Sequence, residues 1–296
     1  MQTLESIKKR IKSVKTTSKI TGAMKLIATA NIHKQSKEFQ MIASYCHDFY
    51  EIIKPLANAS NLVYKKELEA NNDKGTLYVL VSSSLGLCGA FNINVAKFVI
   101  ERLKPNDKVI VIGKKGYSYL KSHGYENKIL YCIEVSDKNL NYLEILPLSG
   151  IVMELFQTKQ FCHVKLVYTK FLNSMTFNPV EINVLPFDTE LFKDDQSKDK
   201  FITALDLVNE KKQEIEYESS KRSILDAVMP SYVATLIFAS IIESRLCESG
   251  SRRNAMDTAT KNAKELIDSL LLQYNRARQE KITQEINEIV AGGTNE

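Results

Sequence analysis

Glycine and proline are scarce at both ends of this 296-residue chain. The sequence holds 11 glycines and 6 prolines, but no proline stands before Pro55 and none between Ser231 and Val290. Since both residue types disfavour the interior of a helix, their scarcity permits helices far longer than the roughly 8–20 residues that are usual in globular proteins.

Long apolar runs are also missing. The longest, Leu236 to Ile242 with one serine, is much shorter than the roughly 20 residues that span a membrane. The sequence therefore predicts no direct insertion into a membrane.

Cysteine and histidine do not form the patterns of a disulfide framework or a metal site. The five cysteines have no C-x-x-C spacing, and the four histidines have no metal-ligand spacing. We expect reduced thiols in a cytoplasm-like compartment, no metal and no cofactor. The cysteines are Cys46, Cys88, Cys132, Cys162 and Cys247.

No catalytic or nucleotide-binding motif is visible. The loop from Ser82 to Phe91 contains Gly86 and Gly89 and follows a predicted strand, where exposed amides can attract phosphate. It lacks the Gly-Lys-Ser/Thr ending of a phosphate loop and the G-x-G-x-x-G pattern. No catalytic residue is predicted.

Apolar residues at alternating steps of three and four predict a long amino-terminal helix. Eleven of fifteen such positions from Leu4 to Ile53 are apolar, and at about 1.5 Å per residue the helix would be roughly 75 Å long. The positions are Leu4, Ile7, Ile11, Val14, Ser18, Thr21, Lys25, Ala28, Ile32, Gln35, Phe39, Ile42, Cys46, Phe49 and Ile53.

A second long helix is predicted from Ser231 to Val290, roughly 90 Å by the same rise. Two narrow apolar stripes of similar length favour an antiparallel coiled coil over two ordinary core helices of an all-α domain. The second stripe consists of Met256, Ala259, Ala263, Leu266, Leu270, Tyr274 and Ala277.

Positive charge is concentrated near the amino terminus. Residues 1–40 hold nine Lys or Arg and two acids, a local charge of +7 against +5 for the whole chain. Such a helix suits nucleic acid, anionic lipid or an acidic protein surface; the alternative is an ordinary solvated helix face.

The middle of the chain alternates short strands with helices. Strands are expected at 76–81, 108–112, 129–135, 162–168 and 180–186. Helices are expected between them at 93–103, after a turn with Gly113 and Gly116 to about Ser122, and at 141–155. This order predicts an open, mainly parallel α/β sheet. Residues 71–75 and 193–200 are expected to be the linkers at its two ends.

Four segments together resemble the gamma subunit of F-type ATP synthases. They are Ile7–Lys15 with Lys19–Ala28, the loop Gly86–Asn92, Ile224–Val233 and Tyr274–Val290. The chain departs from that pattern at Ser84 and Leu85, where an acid and a base are usual, at Gly22 in place of lysine, and at Arg253 in place of methionine.

The resemblance implies an α/β protein in which a long antiparallel coiled coil of the terminal helices joins a Rossmann-like domain. The implied domains are 1–57 (amino-terminal shaft helix), 75–215 (α/β body) and 220–296 (carboxyl-terminal shaft helix). The implied function is that of a non-catalytic central rotor shaft of a proton-translocating ATP synthase. Implied partners are the alpha and beta subunits, the epsilon subunit and the membrane ring of c subunits, without nucleic acid. The implied location is peripheral, on the cytoplasmic face of a bacterial inner membrane.

The resemblance also implies contact residues. Lys8, Lys9, Arg10 and Lys12 match a region that faces acidic loops of catalytic subunits, and Met24 matches a position near such a loop. Arg278, Gln279 and Thr283 match a polar contact with one catalytic subunit at a time.

Two other functions stay open from the residues alone. One is an α/β nucleotide-binding enzyme with a basic coiled-coil arm, which requires ATP to bind the isolated chain. The other is a basic coiled-coil tether, which requires salt-sensitive binding to duplex nucleic acid or anionic vesicles.

Overall fold

A computed structural model describes residues 3–69, 74–135, 140–173, 176–187 and 220–293, without the side chains of 54–69, 221–222 and 288–293. The helices are α1 (Leu4–Glu69), α2 (Phe91–Ile100), α3 (Lys114–Ser122), α4 (Leu146–Gln157) and α5 (Lys221–Gly293). The strands are β1 (Thr76–Val81), β2 (Lys108–Ile112), β3 (Ile129–Ile133), β4 (His163–Phe171) and β5 (Phe177–Leu185). Short 3₁₀ helices lie at Glu126–Lys128 and Tyr142–Glu144.

The five strands form one sheet in the order β3-β2-β1-β4-β5. The first four are parallel to one another, and β5 pairs with β4 in the antiparallel sense. The predicted mainly parallel α/β sheet is therefore confirmed.

Alternate residues of β1 enter two different apolar layers. Leu77, Val79 and Val81 pack in a cluster with the two long helices and α4, whereas Tyr78 and Leu80 pack with α2 and α3. This period of two is what a strand buried on both faces requires. The long helices contribute Tyr50, Ile53, Leu225, Met229, Tyr232, Val233, Leu236, Ile237 and Ile241 to the first cluster.

Two buried polar residues hold the ends of the central strands. Asp107 accepts hydrogen bonds from the backbone N–H of Thr76 at 2.7 Å and of Lys104 at 2.8 Å, which fixes the start of β1 beside β2. At the other end Ser82 donates to the carbonyl of Ile112. Gly113 has a φ of 97°, and a Cβ there would stand 2.3 Å from the carbonyl oxygen of Ser82, so this close approach of two chains requires glycine.

Helix α1 extends beyond the implied end of the amino-terminal shaft helix at residue 57, since it continues to Glu69. Helix α5 begins at Lys221, ten residues before the Ser231 start expected from the apolar pattern but within the implied 220–296, and it includes Pro230. An interior proline costs a helix about 3 kcal/mol. In the core, buried Tyr50 and Ile53 stabilise α1 next to Pro55, and buried Met229 stabilises α5 next to Pro230. At 1.5 Å per residue the helices measure about 99 and 110 Å.

Part of α5 is more apolar than its longest uninterrupted run suggested. Within Ser223–Asn287 an 18-residue window reaches a mean hydropathy of 1.7, enough by length and composition alone to cross a membrane. That window is 61% buried inside the protein, as a core helix of a soluble protein would be.

The chain divides into two compact units. The first, the helical pair, contains residues 1–33, 87–89 and 249–296; the second, the body, contains 34–86 and 90–248. Each long helix contributes to both units, whereas the domain division made from the sequence assigned each helix whole to the shaft. That division stays a prediction, and the linker at 193–200 and the end of the body at 215 lie outside the described residues.

Candidate partner-contact surface of the helical pair

In the helical pair, α1 and α5 run in opposite directions. The hydroxyls of Thr21 and Thr260 are 2.7 Å apart, and Nζ of Lys25 lies 2.6 Å from Oδ1 of Asp257. Because the residue number rises along α1 while it falls along α5, the two helices are antiparallel. The predicted antiparallel pair of terminal helices is confirmed.

Apolar residues form the seam of this pair. Ile7, Ile11 and Leu270 are buried together, and Val14, Tyr274 and Ala277 pack against them. Met256 and Ala263 are also buried, two heptads and one heptad before Leu270 along α5, and Ala28 is buried on α1. The prediction was wrong for Leu266, which is 39% exposed, because a two-helix contact covers only the centre of an apolar stripe.

The polar positions within the predicted α1 stripe form their own contacts. Asp257 accepts from Lys25 and also pairs with Lys261 of its own helix at 2.9 Å. Hydrogen bonds from Lys25 and then Lys261 lower the pKa of the Asp257 carboxyl to about 2. The sequence analysis missed this cluster; a lysine within the α1 stripe was the signal that could have found it.

The predicted basic contact residues are all exposed on α1. Lys8, Lys9, Arg10 and Lys12 lie between and beside the buried Ile7 and Ile11. Because an α-helix turns by about 100° per residue, these four side chains spread over much of its solvent-facing surface instead of forming one narrow stripe. Lys9 pairs with Glu5 at 3.0 Å, and that pair is highly exposed. The surface is therefore strongly positive and open to an acidic partner.

Met24 is half-buried, and its surroundings differ from the prediction in one respect. Lys19 beside it is exposed, but Lys25 is engaged by Asp257. The sequence analysis also missed an exposed apolar surface around Met24. This surface consists of Ile20 and Ile27, four residues before and three after Met24, which are 55% and 61% exposed. Leu26, 71% exposed, lies on the opposite side of the helix. All three are apolar residues outside the seam stripe, which is the signal that could have found them.

Arg278, Gln279 and Thr283 are exposed near the end of α5. The Thr283 hydroxyl donates to the backbone carbonyl of Gln279 at 3.0 Å, so its proton is used within the helix. The guanidinium of Arg278 and the amide of Gln279 project into solvent from adjacent positions. A partner would be held mainly by these two groups.

The loop that contains Gly86 and Gly89 belongs partly to each unit: residues 87–89 to the helical pair and the rest to the body. Within the helical pair, Ser251 of α5 donates to the carbonyl of Cys88 at 2.7 Å, and Gly89 has a φ of 58°. Within the body, Ser83 and Asn92 are hydrogen-bonded to each other. The loop's polar groups are therefore used in packing.

The cavity beside this loop does not fit a nucleotide. Lined by Ser82, Ser83, Phe91 and Arg245 among others, it has a volume of about 20 Å³. This is room for about one water molecule, whereas small-molecule pockets usually measure about 300–1,000 Å³. Among the described residues, no group of three His, Cys, Asp or Glu side chains could hold a metal ion.

Comparison with known proteins decides the family. The model of the ATP synthase family matches residues 3–294. The ATP synthase gamma chain of Ureaplasma urealyticum serovar 10 is 38% identical over 290 residues, 98% of each chain, and that of Malacoplasma penetrans is 38% identical over 300 aligned positions, 100% of each chain. The chain belongs to the ATP synthase gamma chain family. It is the family that the four sequence segments resemble.

A solved structure supports the fold of this gamma chain. A chain in the central stalk and c-ring of the Tetrahymena thermophila mitochondrial ATP synthase matches 81% of it and is itself covered to 99%, with a TM-score of 0.60 and 21% identity. The gamma chain is a peripheral part of a membrane ATP synthase, and its relatives named above are bacterial.

Proposed function

We propose that this gamma chain couples rotation of a membrane ring of c subunits to conformational cycling of the catalytic subunits. Its partners are the alpha and beta subunits around the helical pair, and the epsilon subunit and c subunits at the body. It works on the cytoplasmic face of a bacterial plasma membrane. The observation that carries the proposal is the antiparallel α1–α5 pair, whose seam is packed and whose outer surface is exposed.

The coupling follows from the differences between the sides of the helical pair. One surface is strongly basic (Lys8, Lys9, Arg10 and Lys12) and another is apolar (Ile20 and Ile27). Identical catalytic subunits that face different surfaces experience different contact free energies. Such contacts shift the population of open and closed catalytic sites as the shaft turns.

The proposed contact residues act in two ways. The four cations near the amino terminus attract acidic loops collectively, because each exposed pair contributes only about 0–1 kcal/mol. Arg278 and Gln279 bind one catalytic subunit at a time through charge-assisted hydrogen bonds. Met24 lies farther along α1 than the four cations and contacts a catalytic-subunit loop through its exposed part.

Replacement of the resident gamma chain in a bacterial synthase tests the proposal. Vesicles that carry the hybrid complex should pump protons when ATP is added, and the alpha, beta, epsilon and c subunits should co-purify with the chain. A hybrid complex that assembles and hydrolyses ATP without pumping would contradict the proposed coupling. ATP binding by the isolated chain would instead favour the enzyme alternative.

A further inference from the structure

Strand β4 runs past the end of its neighbour β1. The two strands are paired from Thr76 beside His163 only as far as Leu80 beside Val167. Strand β4 continues to Phe171. Among the described residues, no strand pairs with its last residues on the β1 side, although β5 covers their other side.

Side chains of α5 occupy the place of the missing strand. Glu243 accepts a hydrogen bond from the backbone N–H of Phe171 at 2.9 Å, and Ser244 accepts from the N–H of Thr169 at 3.4 Å. The thiol of Cys247 donates to the carbonyl of Thr169 at 3.3 Å. We call this set of contacts the α5–β4 clamp.

Most of the clamp is buried, although Phe171 itself is half-buried. Its buried contacts are costly to break. Glu243, Ser244 and Thr169 are each less than a tenth exposed, and Cys247 is fully buried. A buried N–H that loses its acceptor keeps the full cost of its desolvation. Burial, with the charge of Glu243 second, raises the pKa of the Cys247 thiol, so the thiol stays a donor.

The hydrogen bonds of the clamp resist rotation and sliding of α5 against the sheet better than apolar contacts do. Apolar contacts are non-directional, so an apolar helix face can turn or slide by small amounts over a sheet. Three hydrogen bonds join one stretch of α5 to two residues of β4. They prevent the helix from rotating about its axis and from sliding along it. The clamp lies where α5 is about to leave the body, since the body ends at residue 248.

We propose that the α5–β4 clamp is where torque passes between the sheet and α5, with Glu243 as its positioning residue. This rests on the proposed coupling function and adds the residues that transmit it. Without the clamp, α5 turns against the sheet under load and part of each rotation is lost. Hydrolysis of ATP then continues with fewer protons pumped.

Three variants of the hybrid synthase in membrane vesicles test the clamp. Glu243→Met removes the acceptor and keeps the volume, and Glu243→Gln keeps an acceptor oxygen. Ser240→Ala is the matched control, since Ser240 is equally buried on α5 but donates only to Leu236 of its own helix. The ratio of protons pumped to ATP hydrolysed is measured, together with amide exchange at Thr169 and Phe171.

In Glu243→Met we expect this ratio to fall severalfold, because the half-buried N–H of Phe171 loses its acceptor on α5. Exchange at Phe171 should be faster. Glu243→Gln and Ser240→Ala should keep the wild-type ratio. A wild-type ratio in Glu243→Met, or an equal loss in Ser240→Ala, would overturn the proposal.

Should Glu243→Met fail to assemble, Ser244→Ala with Cys247→Ala provides the test, and a wild-type ratio in that double variant would overturn the clamp. If the wild-type chain itself fails to restore pumping, the coupling function is contradicted, and the torque role with it. This holds even if slow amide exchange at Phe171 shows that the clamp is formed. The two failures are therefore distinguishable.

Discussion

Lys25 of α1 and Asp257 of α5 form an ion pair of 2.6 Å that crosses a seam made mostly of apolar residues. Both side chains are about a third to two-fifths exposed, so solvent partly screens the pair. Beside it, Thr21 and Thr260 share a hydrogen bond. These contacts fix the register of the two helices, because a slip by one residue would separate every polar partner.

The ion pair predicts a loss of stability in acid. The pKa of Asp257 falls from its ordinary 3.8 to about 2 in the folded chain. A depressed carboxyl pKa stabilises the fold above the unfolded pKa, and this contribution disappears as pH falls from about 4 through 2. The thermal midpoint of the purified chain should therefore drop more steeply over that range than the midpoint of Asp257→Asn. Parallel curves would show that the pair contributes nothing.

Gly22 predicts a stabilising substitution. A Cβ built on this residue of α1 would meet no atom within 4 Å, and a helical glycine costs about 0.5–1 kcal/mol relative to alanine. Gly22→Ala should raise the free energy of unfolding of the purified chain by about that amount in urea titration.

Gly116 provides the control of opposite sign. Its Cβ would stand 2.5 Å from the Ser82 hydroxyl and 2.9 Å from the Ser82 Cβ. Gly116→Ala should therefore destabilise the body, since the strand ends beside it cannot separate freely. Equal effects of the two substitutions would mean that packing at these glycines does not decide their cost.

The sheet was predicted well because its signals are local. Thr76–Val81 and Lys108–Ile112 are compact β-branched runs, and the strands begin and end there. At Asn141–Leu155 the prediction placed one helix, but the chain forms a 3₁₀ turn and then α4 from Leu146. Pro147 suits the first turn of a helix, where its missing N–H has no partner to lose.

Long-range features were not predictable from local pattern. The passage of α1 through Pro55 depends on the burial of Tyr50 and Ile53 against a sheet formed later in the chain. Glu243 and Cys247 appear in the sequence as ordinary helix residues, and only the short length of β1 gives them partners on β4. The candidate contact residues other than Met24 are exposed, and their contacts stay predictions.

The four cations of α1 predict salt-dependent coupling. Replacing Lys8, Lys9, Arg10 and Lys12 together with glutamine should slow ATP-driven pumping or weaken assembly of the hybrid synthase. Single replacements should be mild, because an exposed pair is worth about 0–1 kcal/mol. The defect should be larger at low salt, where screening is weakest. Pumping equal to wild type at every salt concentration would show that these cations are only solvated surface residues.

The five cysteines should differ in their rates of thiol labelling. Burial raises the pKa of Cys46 to about 12, and Cys46, Cys88, Cys162 and Cys247 are buried, whereas Cys132 is exposed on β3. Because the thiolate is the reactive form, N-ethylmaleimide should label Cys132 of the purified folded chain first. Mass spectrometry should find one label in the native chain and five after denaturation. Early labelling of Cys247 would mean that the α5–β4 clamp opens readily.

Arg278 and Gln279 predict a change in turnover without a change in folding. Both are exposed on α5, so their removal costs the helix little. Hydrogen bonds to a charged group contribute about 1.5–3 kcal/mol, and here they would form in one rotary state only. Arg278→Ala with Gln279→Ala should therefore lower steady-state ATP turnover of the assembled hybrid several-fold while circular dichroism of the chain stays unchanged. The exposed pair Arg276→Ala with Glu280→Ala, which removes an ion pair of 3.2 Å on the same helix, is the matched control and should leave turnover near wild type. Equal turnover in both double variants would show that Arg278 and Gln279 do not contact a catalytic subunit.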